Sequence, residues 1–527
     1  MKILGLGKDK KGKPGGIWIA VVILMPLIIV GIMAFINVVF RASDPFPGIV
    51  WNDEAVYLKL IETYSKFSSP PGYWGFDANH AILGSGPAWS PAILIPYAVI
   101  ARFFPAGQSF VFFVNLFFIV LANIIFVLLV DPDREECINL AGFELLSVPV
   151  ILYLTTTMSE IYRYAIAVVL AGMMFNLYRK KGTPILKYVL IPLFVIYAVQ
   201  VYTFFAFAVP LYVCGLLKDK KWYVRFLASL PVTAVVAGGS YYFLHLISSN
   251  YNIGKTESLL AAISARDFTL ALKSLFGMVK EGLAGVIGLK NYIMVYPLYP
   301  YSVILALLLI GIGIFFVLRG NKNPERKEDL YLGRMIAHSV SLYYLMYLTL
   351  YTIVPDTFYR GTAIVIIFSL YLAAMSKREY IVRLLLLVSL AGVFLMKPQI
   401  QYFTEHHYEA SKVKNEWKAC SEKLDEALEV DTEKSLWDNT VLMYTMEPKA
   451  ICAVPVGLAQ NYVLTDGVFS NEPGYLFFSK KEPEEVGDAY LVKSREDIMS
   501  EWGEVIEEEF RVIYEDEEYI VYKRNHL

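Results

Sequence analysis

The feature that most limits this chain is a series of apolar runs long enough to cross a bilayer. The first extends from Ile17 to Phe40, beyond the roughly 20 residues a helix needs to span the hydrocarbon core. Others follow near 109–130, 138–155, 161–177, 184–200, 203–217, 222–247, 298–318, 331–353, 361–375 and 381–397. Lipid offers no hydrogen-bond partners, so each run must satisfy its own backbone as a helix. The composition agrees: 56% of residues are hydrophobic and 18% charged, more apolar and less charged than a soluble domain. The expected fold is a polytopic α-helical membrane protein of about eleven spans.

Charge sets the direction of threading. MKILGLGKDKKGKPGG carries five lysines and a single acid, Asp9, so the N-terminus stays in the cytoplasm. The run after it is too long for a signal-peptide core, and no A-x-A site follows, so it reads as an uncleaved span. Alternation then puts RKKG (179–182), KDKK (218–221), RGNKNPERK (319–327) and SKRE (376–379) inside, as positive-inside sorting requires. DPDREE (131–136) is the acidic exception. The apolar stretch SPAILIPYAVIARFF (90–104) is short for a span, and counting it would invert every basic loop. It is expected to lie at or dip into the outer interface.

Three parts then fall outside: a loop at 41–108, a second at 248–296 and a tail from 401 to 527. The tail holds 28 acids and 13 bases, against 21 acids and 34 bases in residues 1–400. The basic residues cluster beside apolar runs, which argues for membrane sorting and against nucleic acid as a partner. TEHHYEASKVKNEWKACSEKLDEAL reads as a charged helix. TVLMY, YLFFS and AYLVK read as strands, and FRVIYEDEEYIVYK as a closing hairpin. The tail is thus expected to be a small extracytoplasmic α/β domain after a membrane domain of residues 1–400. Cys137 and Cys214 read as small buried hydrophobes. Cys420 and Cys452 are able to pair if the tail is outside the cell.

Chemistry-bearing residues collect on the outer side. WNDEAVYLKL (51–60) puts Asp53 and Glu54 just past the first span. Tyr57, Leu60, Ile61, Tyr64 and Phe67 recur at helical spacing, with Lys59, Glu62 and Lys66 on another face, so the segment should form a helix along the membrane surface. Asp53 shares the apolar face, and the bland alternative for it is a helix N-cap, a role open to Asn52 as well. GYWGFDANHAILGSGPAWSP (72–91) holds His80 and Trp89, either a ligand-facing loop or a structural one with interfacial aromatics. TTTMSEIYRYA (155–165) brings Glu160 and Arg163 to the membrane boundary, where they either face a cavity or simply pair with each other. Arg360 in PDTFYRGT and Lys290 and Tyr292 in GLKNYIMVYPLYPYS complete the set; for Arg360 the alternative is contact with lipid headgroups. Carboxylates, guanidiniums and aromatics at one level suit a substrate with a lipid tail, a phosphate and a sugar.

In order of features the chain resembles the GT-C superfamily of polyprenyl-phosphate-sugar-dependent glycosyltransferases, nearest its protein O-mannosyltransferase and aminoarabinose-transferase branches. The resemblance rests on the first span, the acidic pair followed by Ala and an aromatic in DEAVY, the juxtamembrane helix, a His/Pro-containing loop and an acid in the next outer loop. It covers roughly residues 1–400. It implies Asp53 as catalytic base with Glu54 beside it, Glu160 as the second-loop acid and His80 as the loop histidine. Arg163 and Arg360 would bind phosphate. SEIYR departs from the family's Asp-containing second loop, and NHAILGSGPAW replaces its His-Pro-Pro. The implied reaction is inverting displacement at the anomeric carbon of a lipid-linked donor by an extracytoplasmic acceptor. It requires no cofactor; no cation cage is evident, although carboxylates could hold a divalent ion. The rival expectations are an envelope polysaccharide polymerase or ligase of another fold, and a transporter with mid-span charges and repeated halves.

Overall fold

A computed structural model describes residues 16–41, 44–67, 90–179, 183–218, 220–247, 257–288, 298–322, 327–350, 355–428, 438–445, 447–462, 473–481 and 495–525. It is mostly helical, with a small sheet near the C-terminus. Helix α1 (Gly16–Arg41) leads to α2 (Asn52–Phe67) and α3 (Pro91–Ala101). Then come α4 (Phe110–Val130), α5 (Arg134–Leu145), α6 (Val148–Leu154) and α7 (Glu160–Arg179). A π-helical turn precedes α8 (Ile191–Val201), and a 3₁₀ turn (Thr203–Phe207) joins it to α9 (Ala208–Leu216). Helices α10 (Trp222–Ile247), α11 (Glu257–Ser264) and α12 (Phe268–Gly288) follow. The helical body closes with α13 (Leu298–Lys322), α14 (Lys327–Leu350), α15 (Pro355–Ala374) and α16 (Glu379–Leu395).

Helices stand at all eleven positions expected from hydropathy, but fewer meet the length and composition of a span. Among the described residues five do, or up to seven if each of two sharply bent pairs is one span. Part of the shortfall has a local cause. The chain turns at Tyr202, where φ −156° and ψ 115° leave the helix, so α8 and α9 form two short arms. Their far ends meet where the Tyr212 hydroxyl donates to the Lys187 carbonyl at 3.1 Å. The expected second outer loop carries α11 and α12, and α12 packs against α14.

Helix α7 shows how charge is divided between the two ends of the bundle. Its 20 residues rise about 30 Å, the thickness of a hydrocarbon core. Glu160 and Arg163 lie at its start; at its finish Arg179 lies 3.6 Å from Glu136, which also takes Lys377 at 2.9 Å. The acidic exception DPDREE belongs to this second cluster. Asp133 and Glu136 cap α5 reciprocally, each accepting the other's amide at 3.0 and 2.8 Å. Burial opposes the Asp133 charge, but the Glu136 amide and Lys377 hold its carboxyl below the usual range. These acids are spent on a cap and an ion pair, which explains a basic end that contains them.

The tail begins with α17 (Lys397–Ala410) and α18 (Lys414–Ala427), which leave α16 at a 58° bend. Strand β1 (Thr440–Tyr444), α19 (Pro448–Ala453), β2 (Ala459–Tyr462), β3 (Tyr475–Ser479), α20 (Arg495–Glu509), β4 (Phe510–Glu515) and β5 (Tyr519–Arg524) complete it. The sheet order is β2-β1-β3-β5-β4, with β1 parallel to both neighbours and β5 antiparallel to β3 and β4. Alternate residues serve opposite faces. Leu442, Leu476, Phe478 and Ile520 join Ile498 and Ile506 of α20, whereas Val441, Met443, Phe477 and Val521 join the core containing Leu424 and Ile451. AYLVK lies outside the described residues, and all four cysteines are free thiols.

Candidate active site

Helix α2 is held on two sides, by α3 and by α19 of the tail. Only Asp53, Glu62 and its ends escape burial: Ala55 through Ile61 are all buried, Lys59 among them. This corrects the expected surface helix with a solvated charged face. Lys59 is 4% exposed because α19 covers it, and its ammonium donates to the Cys452 carbonyl at 2.9 Å while lying 3.4 Å from Glu62. Both partners offset the cost of burying its ammonium group.

The two adjacent carboxylates have opposite surroundings. Glu54 is fully buried. Its Oε2 accepts the Val50 and Trp51 amides at 2.8 and 3.0 Å, and its Oε1 accepts the Thr157 amide at 2.9 Å. Oε1 also meets His407 Nε2 of α17 at 3.0 Å. Burial would raise the carboxyl's pKa, but His407 and the two N-terminal amides outweigh it and hold the group below its usual range. Glu54 therefore ties three segments together: the start of α2, the turn before α7 and the first tail helix. Close packing supports the tie. Trp51 meets Phe403 and His407 edge-on at 4.9 and 4.5 Å. Gly48 donates to the His407 carbonyl at 2.6 Å, and any Cβ there would come within 2.7 Å of the Ser411 amide nitrogen.

Asp53 is the accessible member, with a side chain 28% exposed. The Asn52 side chain accepts the Asp53 amide at 2.8 Å. Arg360 Nη1, near the start of α15, lies 3.5 Å from Asp53 Oδ2 and 3.4 Å from Glu160 Oε1. Arg163, one turn into α7, lies 3.7 Å from the same Glu160 oxygen and stacks 4.8 Å over the Tyr202 ring at the tip of the α8–α9 hairpin. Glu160 is 2% exposed and lies at a helix N-terminus that favours its charge. Tyr57 is buried within the field of all four groups, and burial, with Glu160 and Asp53 next, pushes its phenol far above the usual range.

Two carboxylates and two guanidiniums thus alternate across α2, α7 and α15, and the cluster is incompletely satisfied. Glu160 Oε2, Arg163 Nε and the hydroxyls of Thr157 and Ser159 are buried without a hydrogen-bond partner. Buried polar atoms are costly to leave unpaired, so this edge is suited to receive a polar ligand. Asp53, Glu160, Arg163 and Arg360 are brought together; Glu54 is beside them but saturated. His80, Trp89, Lys290 and Tyr292 lie outside the described residues. Sequence reasoning missed His407, whose setting in TEHHYEA looks like a solvated helix face, and gave Tyr57 no role beyond the apolar face. Among the described residues, no group of three or more His, Cys, Asp or Glu is placed to hold a metal ion.

No protein-family model matches the chain, and no curated protein does. Among solved structures it is similar to ArnT of Cupriavidus metallidurans bound to undecaprenyl phosphate. That likeness has 10% identity, covers 96% of this chain and 97% of that one, and has a TM-score of 0.44. It is also similar to the archaeal oligosaccharyltransferase AglB of Archaeoglobus fulgidus in complex with an inhibitory peptide and a dolichol-phosphate. There the identity is 13%, the coverage 82% of this chain and 64% of that one, and the TM-score 0.40.

Proposed function

We propose that this protein is an inverting membrane glycosyltransferase that takes a sugar from a polyprenyl-phosphate donor and passes it to an acceptor outside the cytoplasm. The observation that carries this is the pairing of an accessible carboxylate, Asp53, with Arg360 and the Glu160–Arg163 couple at one end of the helical bundle. The opposite end carries the Arg179 and Lys377 pairs, next to loops whose basic residues suit the cytoplasm.

In this scheme Asp53 accepts the proton of the acceptor hydroxyl as its oxygen attacks the anomeric carbon. The bond from that carbon to the phosphate oxygen breaks on the opposite face, and the electron pair leaves with the lipid phosphate. Arg360 shifts from Asp53 toward the departing oxygens, with Arg163 behind it, neutralising negative charge as it develops. Glu160 keeps both guanidiniums aimed at that point. No metal enters the scheme.

The test is to incubate purified protein with undecaprenyl- and dolichyl-phosphate sugars and an acceptor mixture, then measure released lipid phosphate and glycosylated product. Release by the native protein and none by Asp53→Asn supports the transferase; equal release by both overturns it.

One observation favours a transporter. Glu144, buried in α5, accepts from Asn123 at 2.8 Å, and beside it is a cavity of about 10 Å³ also lined by Ser147 and Tyr371. Ionisable groups at such depth often mark transport paths. Loss of function from Glu144→Gln with Asp53→Asn unimpaired would select that alternative.

A further inference from the structure

His407 lies outside the proposed reaction, yet its two ring nitrogens are both committed. Nδ1 lies 2.8 Å from the Phe403 carbonyl oxygen, which can only accept, so Nδ1 carries a hydrogen. Nε2 faces Glu54 Oε1 at 3.0 Å. That carboxylate already takes three backbone amides, an environment that favours its ionised form. With Glu54 ionised, Nε2 is the donor of this contact as well, and the doubly protonated ring and the carboxylate form an ion pair between two fully buried side chains.

The neighbour most affected is Asp53. Consecutive Cα atoms are about 3.8 Å apart, so the two carboxylates stay within about one Debye length of each other. Glu54's charge, being buried, is poorly screened. A bare Glu54 would push Asp53 toward its protonated form, in which it cannot accept a proton. We propose that His407 is a positioning residue for Asp53: it cancels the charge of Glu54 and fixes the start of α2, so that Asp53 works beside a neutral couple. The inference rests on Asp53 serving as proton acceptor. The first helix of the tail thereby becomes part of the site's electrostatics. The other groups facing this region are Arg360 of α15, Glu160 and Arg163 of α7, Tyr57, Lys59 and Glu62 of α2 and Cys452 of α19. All remain in place in the variants below.

Carbodiimide reacts with protonated carboxyl groups, so the pH dependence of its labelling of Asp53, read by peptide mass spectrometry, follows that residue's protonation without any substrate. In His407→Gln the labelling midpoint should rise by about one pH unit. In the double variant Glu54→Gln/His407→Gln, where both charges are gone, it should return to the native value. With the undecaprenyl-phosphate sugars, the acid limb of kcat should move in the same two ways. A purely structural role would lower activity or yield in His407→Gln without moving either midpoint, and that result overturns the inference. So does failure of both variants to fold, judged by size-exclusion chromatography in detergent. Full transfer by Asp53→Asn would instead sink the proposed base, whatever His407→Gln does.

Discussion

Arg360 Nη1 lies 3.5 Å from Asp53 Oδ2, joining the first helix after the opening span to a helix near the end of the membrane body. The same nitrogen touches Glu160 at 3.4 Å, so one guanidinium links two carboxylates of unequal exposure. At these separations the pairs are loose, and a phosphate oxygen can displace the more exposed carboxylate. Arg360→Lys keeps the charge and loses the planar fork, and should cost about tenfold in transfer. Arg360→Ala should cost about a hundredfold or more. Both are read as initial rates of lipid-phosphate release at saturating acceptor. Equal rates for native and Arg360→Ala protein would remove Arg360 from the mechanism.

Asp53→Asn retains size and hydrogen-bonding shape but cannot take up a proton. Transfer should fall by about 10²–10⁴, with undecaprenyl-phosphate binding unchanged or stronger because Arg360 is released from its partner. A binding assay run beside the rate assay separates the two effects, and weaker binding in this variant contradicts the proposed placement of the phosphate.

The positions of Asp53, Glu160 and Arg360 were legible in the sequence because each sits at the end of an apolar run. The bilayer fixes the level of such ends, and residues at one level meet when the helices pack. His407 and Lys59 were not legible. Each lies in a polar, amphipathic segment whose pattern says that one face is wet. The sequence pattern does not reveal that α17 packs on Trp51 and Gly48, or that α19 lies over α2. The eleven helical positions were likewise readable from hydropathy, and the break at Tyr202 falls between the runs 184–200 and 203–217, in the polar stretch QVYT. DPDREE looked anomalous only until its caps and its Lys377 pair were seen.

Lys59 reports on the seam between tail and membrane body. Lys59→Met keeps the apolar stem but leaves the Cys452 carbonyl without its donor. That should cost about 1–3 kcal/mol, seen as a lower Tm in detergent and faster proteolysis of the tail. Gly48→Ala should act on the same seam by pressing a methyl group into the backbone at Ala410 and Ser411, where α17 ends, an overpacking cost of about the same size. If both variants melt like native protein, the seam does not limit stability.

Acid should weaken the clamp at Glu54. Its folded carboxyl titrates below the usual glutamate value of 4.5, so its stabilisation is fully present above that value. The stabilisation is lost as pH falls through the lowered folded value. Native Tm should therefore drop steeply from about pH 4.5 downward, and Glu54→Gln should show a shallower acid slope from a lower starting Tm. Parallel acid slopes would mean that other carboxylates govern the transition.

The direction of threading can be tested with the thiols. Glu379 at the start of α16 and Glu422 on α18 have exposed side chains, 60% and 66%, and they flank opposite ends of the bundle. In a background without the four native cysteines, Glu422→Cys should react with a membrane-impermeant maleimide in intact cells. Glu379→Cys should react only after lysis. The reverse pattern would put Asp53 and the tail in the cytoplasm, because α17 contacts Glu54 directly and the two cannot lie on different sides. A lipid-linked donor presented outside could then never reach Arg360.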